Sequence, residues 1–271
     1  MIKYSYVWER LEQIRREKPL VLSLTNIVVT NFTANVLLAL GASPAMTKSE
    51  HEVEELTTHC RALVLNTGTP TMDQVHAMRL AAARAKKLGI PVVLDPVGAG
   101  ASKIRIDAPK EFIRKEWISV VRGNASEIMA LGGSQGRPRG VDSLHSSDHA
   151  LDAALKLSAS YGCVVCVSGE EDLIVSGQRV MKISNGHKMM TLITGMGCAS
   201  TTLVAAFAAV EKDCFKAAAM GMAVIGLAGE LSADLSSGPG SMAVSLMDTL
   251  YSLDEKTLEK IRYETEHLSG H

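Results

Sequence analysis

A chain of 271 residues, 46% of them hydrophobic and 21% charged, is long enough for one sizeable α/β core and too apolar for disorder. Its 28 Lys and Arg nearly cancel 29 Asp and Glu, so no overall field draws it to nucleic acid or an anionic membrane. Aromatic residues, at 4%, are also too few for the stacking platform of a single-stranded nucleic-acid binder.

Residues 1–16 carry charges throughout and set Val7, Leu11 and Ile14 at helical spacing, which predicts an amphipathic helix and no secretion signal. Short β-rich runs follow at Leu20–Leu24, Ala62–Asn66, Pro91–Asp95, Ile118–Arg122 and Cys163–Ser168, with helix candidates at 31–40, 72–88, 124–131 and 147–161 between them. This alternation predicts one α/β domain over residues 1–271, with a mainly parallel central sheet and helices on both faces. Gly132–Ser147, rich in Gly, Ser and Arg, reads as a surface loop within that domain. Asp172–Ser176 and Gln178–Ser184 flank Gly177 and predict a hairpin at the sheet edge, because parallel strands cannot be joined so tightly. Beyond Gly197 the pattern is helical to the C-terminus. Its longest mostly apolar run, Ala217–Gly229, falls short of the ~20 residues of a membrane helix. Five scattered cysteines read as reduced thiols, and a cytoplasmic protein is expected.

In an open α/β sheet, ligands lie beyond the carboxyl ends of the strands. The first strand runs into Thr25–Asn35, dense in hydroxyls and amides; capping by Thr30 or Asn31 explains one or two of these, and substrate contact the rest. Asp95 precedes Pro96 and reads alone as a turn or cap; Gly98 and Gly100 lack the third glycine of a dinucleotide fingerprint. Asn124 and Glu127 have the spacing of a capping box. Together, Asp95, Arg122 and Glu127 would gather two carboxylates suited to Mg²⁺ and its waters and one guanidinium suited to phosphate.

Thr194-Gly-Met-Gly-Cys-Ala-Ser-Thr201 leads into an apolar helix, where glycines and unpaired amides can form an anion hole for a phosphoryl group. Cys198 falls in the first helical turn, where the helix dipole is expected to lower its pKa towards 7 or below. Two other motifs carry no chemistry. In a strand, Cys163 and Cys166 point to opposite faces, and His51-Glu52 does not extend to a two-histidine zinc motif.

The segments LTNIVVTNFTANVLLALGASPAM (24–46), LNTGT (65–69), LDPVGAGAS (94–102), RGNASEI (122–128), GVDS (140–143) and NGHKMMTLITGMGC (185–198) resemble the hydroxyethylthiazole kinase family over nearly the whole chain. The cysteine closing the Gly-x-Gly motif is the sharpest mark, because related sugar and vitamin kinases carry Asp there. The resemblance implies a ribokinase-like fold and transfer of the ATP γ-phosphoryl to 4-methyl-5-(2-hydroxyethyl)thiazole with Mg²⁺. It implies Asn26, Val28, Met46 and Gly195 at the thiazole, Arg122, Ser168 and Gly197 at the nucleotide phosphates, and Asp95 and Glu127 at the metal. Cys198 is expected as the weak base that accepts the substrate hydroxyl proton, while the Gly195–Cys198 amides hold the transferred phosphoryl group. It further implies a homotrimer with pockets shared between subunits.

Three positions depart from the commoner family pattern: Met196 stands for Thr, Lys188-Met189 for Pro-Leu, and Ser168 for Thr. Ser168 keeps the hydroxyl that a phosphate contact needs. The competing readings are a kinase for another small alcohol, such as a pyrimidine or pyridoxal-type compound, and a non-catalytic nucleotide-binding protein. Joint presence of Asp95, Arg122, Glu127 and Cys198 argues against the latter.

Overall fold

The computed structural model describes residues 2–133 and 143–267. In chain order the elements are α1 (Tyr4–Glu17), β1 (Leu20–Leu24), α2 (Thr30–Leu40), β2 (Ser43–Met46), α3 (Val53–His59), β3 (Ala62–Asn66), α4 (Met72–Leu88), β4 (Val92–Asp95), α5 (Lys103–Arg114), β5 (Val120–Asn124) and α6 (Ala125–Leu131). They continue as α7 (Ser143–Tyr161), β6 (Val164–Ser168), β7 (Asp172–Ser176), β8 (Arg179–Ile183), a 3₁₀ turn (Lys188–Leu192), α8 (Met196–Ala208), α9 (Cys214–Asp234), α10 (Pro239–Ser252), α11 (Glu255–Leu258) and β9 (Tyr263–His267).

The strands form one sheet in the order β2-β1-β3-β4-β5-β6-β7-β8-β9. Pairing is parallel from β2 to β6 and antiparallel from β6 to β9. Alternate strand residues face opposite layers, as a two-residue period requires. Val21, Val64, Val93, Val120 and Cys166 join the core under α1, α2, α8, α9 and α10. Leu22, Leu63, Leu65, Leu94 and Val165 join the core under α3 to α7. Both faces are therefore apolar, which is why the central strands read as continuous hydrophobic runs.

Val7, Leu11 and Ile14 form the buried stripe of α1, as the spacing predicts. Cys163 belongs to one core layer and Cys166 to the other, and all five cysteines are free.

Several expectations need correction. The hairpin β7–β8 is not the sheet edge, because β9 pairs with β8 outside it. Nor is the chain helical from Gly197 to its end. Tyr263-Glu-Thr-Glu-His267 has no apolar alternation to betray a strand; it is held by backbone pairing and by Lys182 against Glu266, 3.0 Å apart. The short edge strand β2 contains Pro44, which a sequence reading counts against a strand but an edge tolerates. The expected loop 132–147 ends early, since α7 begins at Ser143. Residues 134–142, with most of the GVDS segment, lie outside the described residues. Finally, α9 is a 21-residue helix with the length and apolarity to cross a membrane, contrary to the expectation that no run is long enough. Its most apolar window is 78% buried between α8, α10 and the sheet, which makes it a core helix.

Candidate active site

Parallel strands deliver Asn26, Asn66, Asp95, Asn124 and Ser168 to one edge of the sheet, at or just after the ends of β1, β3, β4, β5 and β6. The N-terminus of α8 arrives at the same edge, packed across β3 and β4. Its cap position is Gly195, at φ 88°, and no side chain caps the helix. The Met196 amide donates to the Ile193 carbonyl (3.3 Å), which leaves the amides of Gly197 and Cys198 without a partner among the described residues.

Asn66, 1% exposed, is the centre of this cluster. Its Nδ2 donates to Asp95 Oδ2 (2.8 Å) and to Cys198 Sγ (3.1 Å). Its Oδ1 accepts from Asn26 Nδ2 (2.9 Å) and from the Gly68 amide (3.0 Å), so its hydrogen-bonding capacity is full. The Gly68 amide can only donate, which fixes the orientation of the Asn66 amide. Thr201 Oγ1 gives Asp95 Oδ2 a further hydrogen bond at 3.0 Å.

Arg122 is buried with unspent donors. Its Nε has no partner, and none of its nitrogens donates to a described residue. Burying a guanidinium without a hydrogen bond is costly unless an anion completes it. The group lies against α8: a Cβ at Gly197 would stand 2.6 Å from Arg122 Nη1, so glycine is needed for this approach. Arg122, Gly197 and Ser168 share a cavity of about 870 Å³ with Asp172 and the 184–191 segment. The three residues expected at the nucleotide phosphates therefore converge on one cavity.

The carboxylates flank this guanidinium. Burial pushes the Asp95 carboxyl up to about 6; Arg122 opposes the shift and Glu127 adds to it. Asp172 is likewise raised to about 6 by burial, against the Gly169 amide and Arg122. Glu127 makes the expected capping box: Asn124 Oδ1 accepts from the Glu127 amide at 3.0 Å, and Glu127 Oε2 from the Asn124 amide at 2.8 Å. Glu127 Oε1 accepts from the Gly98 amide at 2.8 Å, which pins the loop after Asp95.

Among the described residues no three His, Cys, Asp or Glu side chains cluster as a cage for a metal. Mg²⁺ does not need one, because it keeps waters and shares phosphate oxygens with one or two carboxylates. The donor set fits. Asn66 and Thr201 both donate to Asp95 Oδ2, and a cation would relieve the burial of a carboxylate beside Glu127.

Cys198 sits in the first turn of α8, but its acidity runs opposite to expectation. Burial, then the charge of Asp95, pushes the thiol up to about 12. A helix dipole contributes about 2 kcal/mol at most, whereas full desolvation moves a pKa by up to about 3–5 units. Burial wins, the thiol is protonated at neutral pH, and the expected role of Cys198 as the base does not hold.

None of the expected thiazole residues lines the large cavity. Asn26 Nδ2 lies 3.9 Å from its sulfur, and Asn26 Oδ1 accepts from the Val28 amide at 3.0 Å. Met46 pairs with Ser23 at the end of β2, and Gly195 abuts Val29 and Phe32. Val28 itself is 61% exposed. Of the polar run after β1, only Asn26 donates to another side chain of the cluster. Thr30 and Thr33 bond back to carbonyls of the preceding turn, and neither Thr30 nor Asn31 caps α2.

Sequence reasoning missed Asn66, Thr201 and Asp172 as site residues. Asn66 and Thr201 lie inside motifs already singled out, LNTGT and the Gly-x-Gly helix start, and Asn66 also ends a parallel strand.

The sequence profile of the hydroxyethylthiazole kinase family matches residues 11–256. A hydroxyethylthiazole kinase from Oleidesulfovibrio alaskensis is 48% identical over 259 residues, 96% of this chain and 97% of that protein. The chain belongs to the hydroxyethylthiazole kinase family. It is an enzyme of the class that moves a phosphoryl group onto an alcohol. The structure of a hydroxyethylthiazole kinase protein from Pyrococcus horikoshii superposes with a TM-score of 0.90 at 34% identity, covering 97% of this chain and 100% of that one. A ribokinase-like superfamily protein from Enterococcus faecalis, 12% identical, gives 0.63 over 85% of this chain and 86% of its own, a likeness of fold alone. The fold of this kinase is ribokinase-like.

Proposed function

We propose that this kinase transfers the γ-phosphoryl group of ATP to the hydroxyethyl oxygen of 4-methyl-5-(2-hydroxyethyl)thiazole, forming the thiazole phosphate for thiamine biosynthesis or salvage. The observation that carries the reading is the buried guanidinium of Arg122, which donates to no described residue, against the N-terminus of α8, which no described side chain caps. That pair is built for a phosphoryl group, and Cys198 stands beside it.

Arg122, Ser168 and the amide of Gly197 bind the nucleotide phosphates. Asp95 and Glu127 hold Mg²⁺, which supplies charge neutralisation to the phosphate oxygens when bound. Asn26, Val28, Met46 and Gly195 receive the thiazole and aim its hydroxyl at Cys198. Phosphoryl transfer through a loose transition state depends on positioning and charge stabilisation more than on early deprotonation. A protonated thiol therefore suffices. The sulfur of Cys198, held by Asn66, orients the hydroxyl, whose proton becomes acidic only as its oxygen bonds to phosphorus and then passes to an oxygen of the transferred phosphoryl group as the bond to ADP breaks.

The kinase works as a single domain, in a homotrimer whose neighbouring subunits complete the thiazole pocket. Ile27 and Val28 beside Asn26, Leu192 on the 3₁₀ turn, and Leu38 and Val244 on the adjoining α2 and α10 are all more than half exposed, which supports a covering neighbour. A ring of this kind joins two different patches. The five free thiols favour a reducing compartment, the cytoplasm.

ADP release with ATP and Mg²⁺ tests the reading when the thiazole alcohol is compared with hydroxymethylpyrimidine and pyridoxal. The thiazole alcohol is expected to give the highest kcat/KM. Turnover of another alcohol instead moves the substrate assignment, and no turnover with any of them leaves only nucleotide binding.

A further inference from the structure

One wall of the large cavity is the segment Ser184–His187, which joins β8 to the 3₁₀ turn. It has no regular structure of its own, yet it is tied down from two directions. Glu230, on α9, accepts from Asn185 Nδ2 (3.0 Å) and from the Gly186 amide (3.0 Å). Burial pushes the Glu230 carboxyl up, but Arg262, Gly186 and Asn185 together outweigh it and hold the group below its usual range. From the other direction, the stretch entering β9 grips the same residues. The Arg262 amide donates to Asn185 Oδ1 (2.7 Å), and Asn185 Nδ2 also donates to the Lys260 carbonyl (3.2 Å). The Arg262 guanidinium spans Glu230 and the Ser184 carbonyl (2.9 Å).

All the polar atoms of the Asn185 side chain are thus spent on the brace, although Asn185 itself lines the cavity. The segment is also pressed against α9: a Cβ at Gly226 would stand 2.5 Å from the Asn185 carbonyl oxygen, so the close approach depends on that glycine. Lys260, Arg262 and β9 lie beyond residue 256, where the match to the family profile ends.

We infer that Glu230 and Arg262 are positioning residues for the nucleotide: through them α9 and the stretch entering β9 brace the Ser184–His187 wall and set the shape of the nucleotide cavity. The inference rests on the reading of that cavity as the nucleotide site. A charge-assisted, multiply bonded clamp restricts a wall that would otherwise have to be ordered by the ligand, so losing the clamp weakens binding without touching the reacting atoms.

Calorimetric titration of ADP with Mg²⁺ onto the 271-residue wild type, Arg262→Ala, Arg262→Lys and Glu230→Gln tests it. In Arg262→Ala the Kd for ADP is expected to rise about tenfold, with Arg262→Lys and Glu230→Gln between it and wild type. KM for ATP should rise in parallel while KM for the alcohol moves less than about twofold. The Gly186 amide should exchange faster. An unchanged Kd in both Arg262→Ala and Glu230→Gln overturns the inference, even if melting temperatures fall. Should Glu230→Gln not fold, Arg262→Ala decides, since the Arg262 side chain is 56% exposed. A wild type that binds no ADP refutes the nucleotide reading itself; a wild type that binds ADP with variants no weaker refutes only the brace.

Discussion

Arg122→Met is expected to lower kcat/KM for ATP by about 10²–10³-fold, the usual loss when one preorganised donor to a transferring group is removed. Binding and chemistry should both suffer, because the guanidinium meets phosphate oxygens in the ground state and charge in the transition state. The effect on folding should be far smaller. The guanidinium donates no hydrogen bond to a described residue, so an apolar side chain of similar length breaks none. Its charge does oppose the burial of Asp95 and Asp172, and their protonation near pH 6 absorbs part of that loss. Steady-state kinetics beside thermal melting without nucleotide would check this. A variant with near-normal kcat/KM means that the phosphates lie elsewhere. A variant that loses structure in proportion to activity means that Arg122 serves the fold.

Cys198→Ala is expected to lower kcat by about 10–100-fold and leave KM for ATP nearly unchanged. That is less than the loss of a strong general base, for two reasons. The thiol is protonated near neutral pH, since burial and Asp95 push it up to about 12. The incoming oxygen also needs orientation before it needs deprotonation. Cys198→Asp is expected to stay active and to equal or exceed wild type. A carboxyl placed beside Asp95 is raised towards neutrality by burial and by its neighbour's charge, which suits a proton acceptor. Full activity in the Ala variant would remove Cys198 from the reaction. An inactive Asp variant that still binds ADP would show that the site tolerates no charge there.

These two residues also mark where sequence reasoning succeeds and where it stops. The spacing of apolar runs locates β1, β3, β4, β6 and β7 to within a residue, because strands buried on both faces have no other reading. Their carboxyl ends then lead to Asn26, Asp95 and Ser168 from the order of residues alone, whereas β5 runs two residues later than the expected 118–122 and Arg122 lies within it. The capping box of Asn124 and Glu127 is legible for the same reason: it is local. What stays hidden depends on distant partners. Cys198 is visible as a first-turn thiol, but its burial under Asn66 and Asp95 comes from β3 and β4, and that reverses its acidity. Asn66 becomes a hub only once four separate segments meet around its amide. Arg262 and Asn185 are 77 residues apart, and the strand that joins them to one wall is polar and exposed, so no hydrophobic pattern announces it. Exposed edges are where pattern reading fails in this fold, at β2 and at β9 alike.

The most direct measurement is the identity of the product. Purified protein incubated with ATP, Mg²⁺ and the thiazole alcohol, followed by phosphorus NMR and mass analysis, reports where the phosphoryl group goes. The expected result is ADP together with a phosphate monoester on the hydroxyethyl oxygen, in equal amounts. Inorganic phosphate as the sole partner of ADP, or an untouched thiazole alcohol beside a phosphorylated pyrimidine or pyridoxal, would contradict it.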